Sequence, residues 1–342
     1  MKILFLKRGP ERWGSNRIYV NNLSKWLKPY FNEVKISETI EADYDIYILS
    51  KYSKYNDIQY IKSYFPKSIV GIIHPNDLKK DGLMKLKDAD FCIVGSIEEM
   101  DHFLEYNENI FRFPQIEVIK KIRKKHAQSK IFRMGYHGNK NHLNELGDPL
   151  KNALEKLSNE INIELTVIYD LKYGQWKQNR PKIKIKVVDW TFDAMVDEMS
   201  KVDVGIVPCT NVNFLDRHYR ISNFHTRKFK KMVSKSGKDH DYMIQFKPYS
   251  NAGRSAVFHQ LGIPVIADFW PSHFEILSNK MNGRLAHSEA GWYYALKELA
   301  ESSTLRQSIA DSAFLEFTSK YDPTIWAEQL AQYLRKKFQI DM

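Results

Sequence analysis

Residues 247–268 read KPYSNAGRSAVFHQLGIPVIAD, a basic turn that leads into a helix and then into a buried strand. The serine and asparagine at 250–251 are typical helix caps, which predicts a helix over about 252–261. Gly262 is placed to end that helix, and the apolar run 263–267 is typical of a buried strand. This order of elements is the repeating unit of an open α/β sheet.

The same stretch is a candidate anion site. The first N–H groups of a helix have no partners within the helix and attract negative charge, and Lys247 and Arg254 flank this helix start. A helix, a glycine and a strand without any ligand fit the pattern as well, so the stretch alone leaves both interpretations open.

Length and composition indicate a folded α/β protein of two domains. The chain has 342 residues, and domains usually hold about 150 to 200. Hydrophobic residues make up 43%, which is typical of globular proteins, and no apolar run approaches the length of a membrane span. We therefore expect a cytoplasmic protein. Cys92 and Cys209 lie in apolar runs, which favours buried thiols over a disulfide or a metal site.

The formal net charge of +11 is unevenly distributed. Basic residues cluster at 120–133 and again at 217–238. Such an excess favours an anionic partner, for which nucleotides, anionic lipid headgroups, polyanionic glycans and nucleic acids are the alternatives, whereas a solvated surface without any partner also fits.

Strands and helices alternate along the first 128 residues, which we interpret as an N-terminal Rossmann-like domain. Doubly apolar strands in alternation with helices predict a parallel sheet covered on both faces. The basic stretch 120–130 has helical propensity and few core residues, so we place the domain boundary near residue 128. The predicted elements are strands at KILFLK, YDIYIL, SIVGII and DFCIVG, and helices at 15–27 and 97–105.

The second half repeats the alternation and predicts a C-terminal Rossmann-like domain over 129–321. A long insertion at 211–246 fits neither a strand nor a clean helix, and residues 322–342 predict an amphipathic closing helix. The predicted strands are KIFRMGYHG, IELTVIY, IKIKVVD, VDVGIVP, IPVIAD and GRLA, and the predicted helices span 146–157, 192–200, 252–261, 290–300 and 305–320.

The ordered motifs of the second half resemble those of nucleotide-sugar glycosyltransferases with two Rossmann-like domains facing across a cleft, the GT-B fold, and most nearly those of glycosyltransferase family 4. The resemblance covers about 190 residues. Its motifs are MGYHGNKNHL from Met134, the segment 187–190, VDVGIVP from Val202, the stretch 247–268, PSHFEIL from Pro271, NGRLA from Asn282 and the segment that begins at Trp292.

The resemblance implies a donor-binding site on the C-terminal domain. Lys247, Asn251 and Arg254 are expected to hold the diphosphate, because positioned cations stabilise the charge that develops on a departing nucleoside diphosphate. Other residues that the resemblance brings to the donor are Gly138 at the first turn of the domain, Val188 and Trp190 beside the base, and Glu275.

One departure from the family concerns the acidic pair that contacts the donor. Many family 4 enzymes carry two glutamates seven residues apart around this helix, and the matching positions here hold Tyr249 and Val257. Glu275 is the carboxylate that we expect to replace the ribose contact, and the Lys247, Asn251 and Arg254 set resembles that of polysaccharide-assembly transferases.

Candidate catalytic residues come from the first domain. His74 follows the strand SIVGII, at the sheet edge where open α/β folds bind ligands, and Asp77 lies three residues further. In the resembled family a histidine here contacts the donor sugar; a general base and a structural turn residue are the alternatives. Gly14, Ser15 and Asn16 follow the first strand and are loop candidates for phosphate or acceptor binding.

Three Asp-x-Asp spacings raise the question of a metal ion. They lie at 43–45, 88–90 and 239–241, and the first two directly precede strands, a common strand-start pattern. We therefore expect neither a metal nor any other cofactor.

Together these features predict a metal-independent glycosyltransferase of surface-polysaccharide assembly that uses a nucleotide-sugar donor and a glycan or lipid-linked acceptor. The resemblance favours a retaining reaction. The basic residues favour a peripheral contact with an anionic membrane at its cytoplasmic face, and nucleic acid is not expected as a partner. The alternatives are a non-catalytic basic protein that binds nucleic acid or another polyanion, and a GT-B nucleotide-sugar epimerase.

Overall fold

A computed structural model describes residues 1–11, 13–75, 80–144, 146–208 and 251–339. The chain divides into two compact units. Unit 1 comprises Met1–Ile119, Lys247–Val257 and Glu316–Met342, and unit 2 comprises Lys120–Phe246 and Phe258–Leu315. The chain therefore first passes from unit 1 to unit 2 at 119–120, whereas the sequence predicted a boundary near residue 128. The segment 251–257 belongs to unit 1.

Unit 1 contains a parallel sheet of six described strands. Each strand is hydrogen-bonded to its neighbours in the order β2-β1-β3-β4-β5-β6. Strands β3 and β5 are buried at every position, which explains why both are apolar throughout. The strands are β1 (Lys2–Leu6), β2 (Glu33–Ser37), β3 (Ile46–Leu49), β4 (Ile69–Ile73), β5 (Phe91–Val94) and β6 (Ile110–Arg112).

The helices of unit 1 cover both faces of this sheet. The predicted helix at 15–27 is formed by three consecutive segments, the middle one a π-helix at Arg17–Asn22. The closing helix is confirmed, and its buried positions, Leu330 and Leu334 among them, share one core with Ile3 and Phe5 of β1. The described α-helices are α1 (Gly14–Asn16), α2 (Leu23–Leu27), α3 (Tyr55–Tyr64), α4 (Lys80–Asp88) and α5 (Ile97–Phe103).

Unit 2 contains a second parallel sheet of six described strands, in the order β12-β11-β10-β7-β8-β9. This is the Rossmann order, in which the first strand of the unit, β7, pairs with the fourth, β10. The strand order reverses there, so ligands of such sheets bind beyond the carboxyl ends of those two strands. The strands are β7 (Phe132–His137), β8 (Ile163–Tyr169), β9 (Lys184–Asp189), β10 (Val204–Val207), β11 (Val265–Ala267) and β12 (Arg284–Leu285).

Most of the remaining helices lie at predicted positions. Helix α8 has the predicted bounds, and α7, α9, α11, α12 and α13 differ from prediction by a few residues at their ends, whereas the short helices α6 and α10 were not predicted. They are α6 (Lys140–Asn144), α7 (Asp148–Ser158), α8 (Phe192–Ser200), α9 (Gly253–Gln260), α10 (Pro271–Ile276), α11 (Glu289–Glu301), α12 (Ser303–Lys320) and α13 (Pro323–Phe338). No helix among the described residues is both long and apolar enough to span a bilayer.

The segment 252–267 forms the expected helix, α9, and the expected strand, β11. Gly262 ends α9 in the left-handed region, with φ of +65°, and its N–H donates to His259 O. The N–H of Ile263 donates to Phe258 O, which completes a Schellman motif. Glycine at position 205 lets the ring of Phe258 pack directly on β10, because a Cβ there would lie 2.5 Å from the ring.

The helical propensity of 120–130 does not produce a helix. These residues form no helix or strand, because their backbone groups bond to other elements instead of to one another. The N–H of Ile122 donates to Gln260 O at the end of α9, and Arg306 donates to Ala127 O. The side chain of Gln307 accepts from the N–H of His126 and donates to Lys124 O. Tertiary contacts therefore override the local helical propensity.

Candidate active site

His74 lies at the carboxyl edge of the unit 1 sheet, as the sequence predicts. It directly follows β4, and its N–H still donates to Ile93 O of the neighbouring strand. Its φ of +42° lies in the left-handed region, which is uncommon for a residue other than glycine. Only 8% of the residue is exposed, so its imidazole is held in a buried position at the edge where ligands of such sheets bind.

Glu99 on α5 is the partner of His74, and sequence reasoning missed it. The Nδ1 atom of His74 lies 2.7 Å from Glu99 Oε1 and 2.6 Å from Oε2. The backbone N–H of Gly95 donates to the same Oε2 at 2.8 Å. Glu99 is only 2% exposed, so a buried carboxylate joins the turn after β5 to the imidazole after β4. The signal was a serine three residues before a glutamate, at Ser96 and Glu99, directly after a buried strand.

Tyr19 packs against the same imidazole. Its ring centroid lies 4.4 Å from that of His74 in an edge-to-face arrangement, and its hydroxyl donates to Phe113 O at 3.0 Å. Burial, assisted by the charge of Glu99, raises the pKa of Tyr19 well above its usual value. The phenol therefore stays protonated and serves as a neutral wall of the site.

Lys51 follows β3 at the same edge. Burial lowers the pKa of its ammonium, while the charge of Glu99 acts in the opposite direction and that of Lys85 reinforces burial. Asp77 lies outside the described residues, so its predicted role beside His74 stays a prediction.

The loop candidates after β1 form a compact turn. The side-chain amide of Asn16 is fully buried and donates to the carbonyls of Arg8, Gly9 and Pro10. The N–H of Asn16 donates to Trp13 O, and the hydroxyl of Ser15 donates to Tyr52 at 3.2 Å. Asn16 thus shapes the loop, and Gly14 begins the helix that follows.

The first turn of unit 2 places Gly138 at the topological switch point. Gly138 directly follows β7 and has φ of +141°, and its N–H donates to Ile168 O. Val188 and Trp190 lie at the carboxyl end of β9, on the far side of β8, and both are half-buried. The three predicted donor residues therefore share the carboxyl edge of one sheet.

The start of α9 carries the predicted diphosphate residues that the structure describes. Asn251 caps the helix: its Oδ1 accepts from the N–H of Gly253 at 3.0 Å, and its Nδ2 donates to Gln115 Oε1 at 2.8 Å. Arg254 is half-buried in the first turn. Val257, which stands at one of the two positions where many family 4 enzymes carry a glutamate, is buried. Lys247 and Tyr249 lie outside the described residues.

A second carboxylate–histidine pair, also missed from sequence, lies at the carboxyl edge of the unit 2 sheet. Asp268 follows β11 and its Oδ1 lies 2.8 Å from His287 Nδ1. The ring of Phe269 stacks on that of His287. Glu275, expected in a loop, lies instead in helix α10, which Pro271 begins.

Two of the Asp-x-Asp spacings bond to neighbouring strands of the unit 1 sheet. Asp45 accepts from the N–H of Lys2, and Asp90 accepts from the N–H of Val70 and pairs with Lys62. Within the described ranges no group of three or more His, Cys, Asp or Glu side chains is arranged to hold a metal ion. The third spacing, 239–241, lies outside them.

The whole chain superposes on solved glycosyltransferases. HepE of Anabaena, crystallised with UDP and glucose, matches with a TM-score of 0.66 and 11% identity over 98% of this chain and 100% of its own. The fold is GT-B. Sucrose-phosphate synthase of Thermosynechococcus elongatus matches at a TM-score of 0.63 and 10% identity, with 99% of each chain covered.

A third GT-B structure matches over part of its length. A TarM variant of S. aureus, crystallised with fondaparinux, α-GlcNAc-glycerol and UDP, gives a TM-score of 0.56 and 12% identity over 84% of this chain and 55% of its own. No protein-family model and no curated protein sequence matches this chain. At these identities the GT-B likeness establishes the fold, including the two Rossmann-like sheets predicted from sequence.

Proposed function

We propose that this chain is a retaining glycosyltransferase that moves a sugar from a nucleotide donor to a glycan or lipid-linked acceptor. The observation that carries the proposal is the GT-B likeness along the full length, 98% of this chain on 100% of HepE, a protein crystallised with UDP-glucose. The position of His74 supports it, because a buried imidazole at a carboxyl sheet edge suits contact with a sugar.

The proposed donor contacts are those that the family resemblance assigns. Gly138 approaches the diphosphate, Val188 and Trp190 border the base, and Lys247 and Arg254 neutralise the departing phosphates. Asn251 contributes its amide from the helix cap, and Glu275 is the proposed ribose contact. His74 and Asp77 act at the sugar, and Lys247 and Arg254 would supply the positive charge that a metal ion otherwise brings to a diphosphate.

The proposed acceptor class and location follow from charge. A chain with a net charge of +11 and a basic stretch at 120–133 is suited to a peripheral contact with an anionic membrane surface, where lipid-linked glycans are found.

A thermal-shift panel tests the donor assignment. UDP, GDP, CDP, ADP and their glucose conjugates are compared, and a ligand at 100 times its dissociation constant should stabilise the protein by about 2.7 kcal/mol. We expect one nucleotide family to raise the melting temperature. No shift with any nucleotide or nucleotide sugar would contradict the proposal.

Replacement of Arg254 tests the phosphate contact. Arg254→Ala should remove one or two charge-assisted bonds, about 1.5–3 kcal/mol each, and weaken donor binding at least ten-fold. Arg123→Ala is the matched control, since Arg123 is an exposed arginine of unit 2 paired with Asp311. Equal donor affinity in the Arg254 and Arg123 variants would remove Arg254 from the site. The anomeric configuration of the product, read by NMR, decides between retention and inversion.

A further inference from the structure

The hydrogen-bonding state of His74 follows from its neighbours. Glu99 presents two carboxylate oxygens, and ionised carboxylates only accept hydrogen bonds. One oxygen receives both the N–H of Gly95 and the contact from His74 Nδ1, at 2.8 and 2.6 Å. The imidazole must therefore carry a proton on Nδ1 to satisfy this contact, because two acceptors facing each other would repel.

The other ring nitrogen of His74 is buried and has no hydrogen-bond partner among the described residues. A proton on Nε2 would be a buried donor without an acceptor, which is costly. An unprotonated Nε2 leaves instead a lone pair that accepts a hydrogen bond. The left-handed backbone of His74 and the contact with Tyr19 hold this nitrogen in one orientation.

We propose that Glu99 is a positioning residue that keeps the proton of His74 on Nδ1, so that Nε2 accepts a hydrogen bond from a hydroxyl of the transferred sugar. The identity of the hydroxyl-bearing ligand rests on the proposed function, whereas the tautomer rests on the geometry of unit 1 alone. The pair thus selects for a group that donates, a sugar O–H, over one that only accepts, such as a phosphate oxygen.

Glu99→Gln tests this assignment with almost no change of shape. In glutamine an NH₂ group, which only donates, replaces one of the two carboxylate oxygens, and both of those oxygens lie within 2.7 Å of His74 Nδ1. The N–H of Gly95 is fixed, whereas imidazole can move its proton. The oxygen should therefore turn to Gly95, the NH₂ should face Nδ1, and His74 should change to the tautomer with its proton on Nε2.

Nitrogen-15 NMR of the full chain, labelled at histidine, measures the tautomer directly. His74→Gln identifies the resonances by their loss. We expect an unprotonated Nε2 in the native protein, an unprotonated Nδ1 in Glu99→Gln, and the native pattern in Asp101→Asn, which changes an exposed carboxylate of the same helix. An Nε2–H in the native protein, or an unchanged tautomer in Glu99→Gln, overturns the assignment. The native spectrum alone shows whether Nε2 carries a proton, even if Glu99→Gln does not fold.

Donor analogues test the hydroxyl contact. UDP-glucose and its monodeoxy analogues, each lacking one sugar hydroxyl, are titrated against the native protein and Glu99→Gln, with the matching nucleotide used if the thermal-shift panel selects another base. One analogue should bind the native protein about 3- to 10-fold more weakly. Glu99→Gln should lose a similar factor with UDP-glucose and nothing further with that analogue.

The outcomes separate this inference from the proposed function. If no nucleotide sugar binds, the proposed function fails while the NMR result still decides the role of Glu99. If a nucleotide sugar binds but neither the Nε2 resonance nor the analogue series responds, the Glu99–His74 pair is structural only and the hydroxyl contact is overturned.

Discussion

At the residue scale, the carboxyl edge of unit 1 depends on the absence of a side chain at Gly95. A Cβ at this position would lie 2.6 Å from His74 Cε1 and 2.6 Å from the Tyr19 hydroxyl. Gly95 also donates the N–H that fixes one oxygen of Glu99. Glycine is therefore required here by close approach of two rings, while its backbone conformation is an ordinary one.

Gly95→Ala should displace His74 and destabilise the protein. Both rings are buried, so overpacking at this site should cost about 1–3 kcal/mol in the free energy of unfolding. The measurement is urea unfolding, together with transfer activity, which should fall with the loss of the imidazole position. Gly14→Ala is the stability control, because a Cβ there would meet its nearest side-chain atoms at 3.8 and 4.0 Å. Equal stability of the two variants would contradict the close approach.

The same edge shows how far residue-level prediction reached. The position of His74 was predictable, because an apolar run followed by a polar residue marks the end of a buried strand. Its partner was not, since the contact joins residues 74 and 99 across two strands of the sheet. A glutamate three residues after a serine predicts a helix cap, and only the fold shows that its carboxylate turns to a histidine.

At the element scale, the central strands were more predictable than the edge strand β2 and the connecting segment 120–130. The doubly buried strands β3, β4 and β5 have apolar sequences that predict them directly. Strand β2 at the sheet edge, with the sequence EVKIS, was missed because an edge strand needs less apolar sequence. The segment 120–130 has helical propensity but forms no helix, because α9 and α12 supply its hydrogen-bond partners, which propensity cannot show.

Gly262 ends α9 and lies against the segment 120–130. Gly262→Ala should therefore be strongly destabilising. A Cβ would meet Lys124 N at 2.7 Å and Ile122 O at 2.9 Å, both of them backbone atoms. The left-handed backbone alone costs a residue other than glycine about 1–2 kcal/mol. Urea unfolding should show a loss larger than this. In Gly291→Ala, the control in helix α11, the backbone is helical and the nearest atom to a Cβ is the side-chain hydroxyl of Ser288 at 3.2 Å, so stability should change little; a loss there of the same size would refute the explanation.

His126 makes the stability of this connection depend on pH. Its Nε2 lies 2.9 Å from Gly262 O, and its Nδ1 is buried without a partner among the described residues. Burial lowers the pKa of His126 below 6.5; the Gly262 carbonyl and Asp203 oppose the shift, and Lys124 and Arg306 add to it. Below pH 6.5 the unfolded chain therefore binds more protons than the folded one, so the free energy of unfolding falls as pH drops.

The measurement is the free energy of unfolding by urea between about pH 5 and pH 8. The native protein should gain stability as pH rises towards 6.5 and then level off, and His126→Gln should reduce this slope while its amide still donates to Gly262 O. His102→Gln is the control, since His102 lies on α5 in unit 1. A slope unchanged by His126→Gln would contradict a depressed pKa at this residue.

At the scale of the whole molecule, charge bears on how the proposed diphosphate would be held. The chain has a formal net charge of +11, and its proposed diphosphate residues include two cations. Of the three Asp-x-Asp spacings, the two that the structure describes are committed to strand starts, where Asp45 and Asp90 accept backbone N–H groups. The cationic side chains, and not an acid-bound metal ion, are therefore the proposed counter-charge.

Removal of divalent ions should leave transfer activity unchanged. Sugar transfer is measured in excess EDTA and again after Mg²⁺ or Mn²⁺ is restored, with the nucleotide sugar selected by the thermal-shift panel. We expect rates within about two-fold of each other, because the charge on the departing phosphates is neutralised by side chains that EDTA does not remove. Added salt should instead weaken donor binding, since it screens those side chains. Activity that is lost in EDTA and restored by Mg²⁺ or Mn²⁺ would show that a metal ion carries the diphosphate charge.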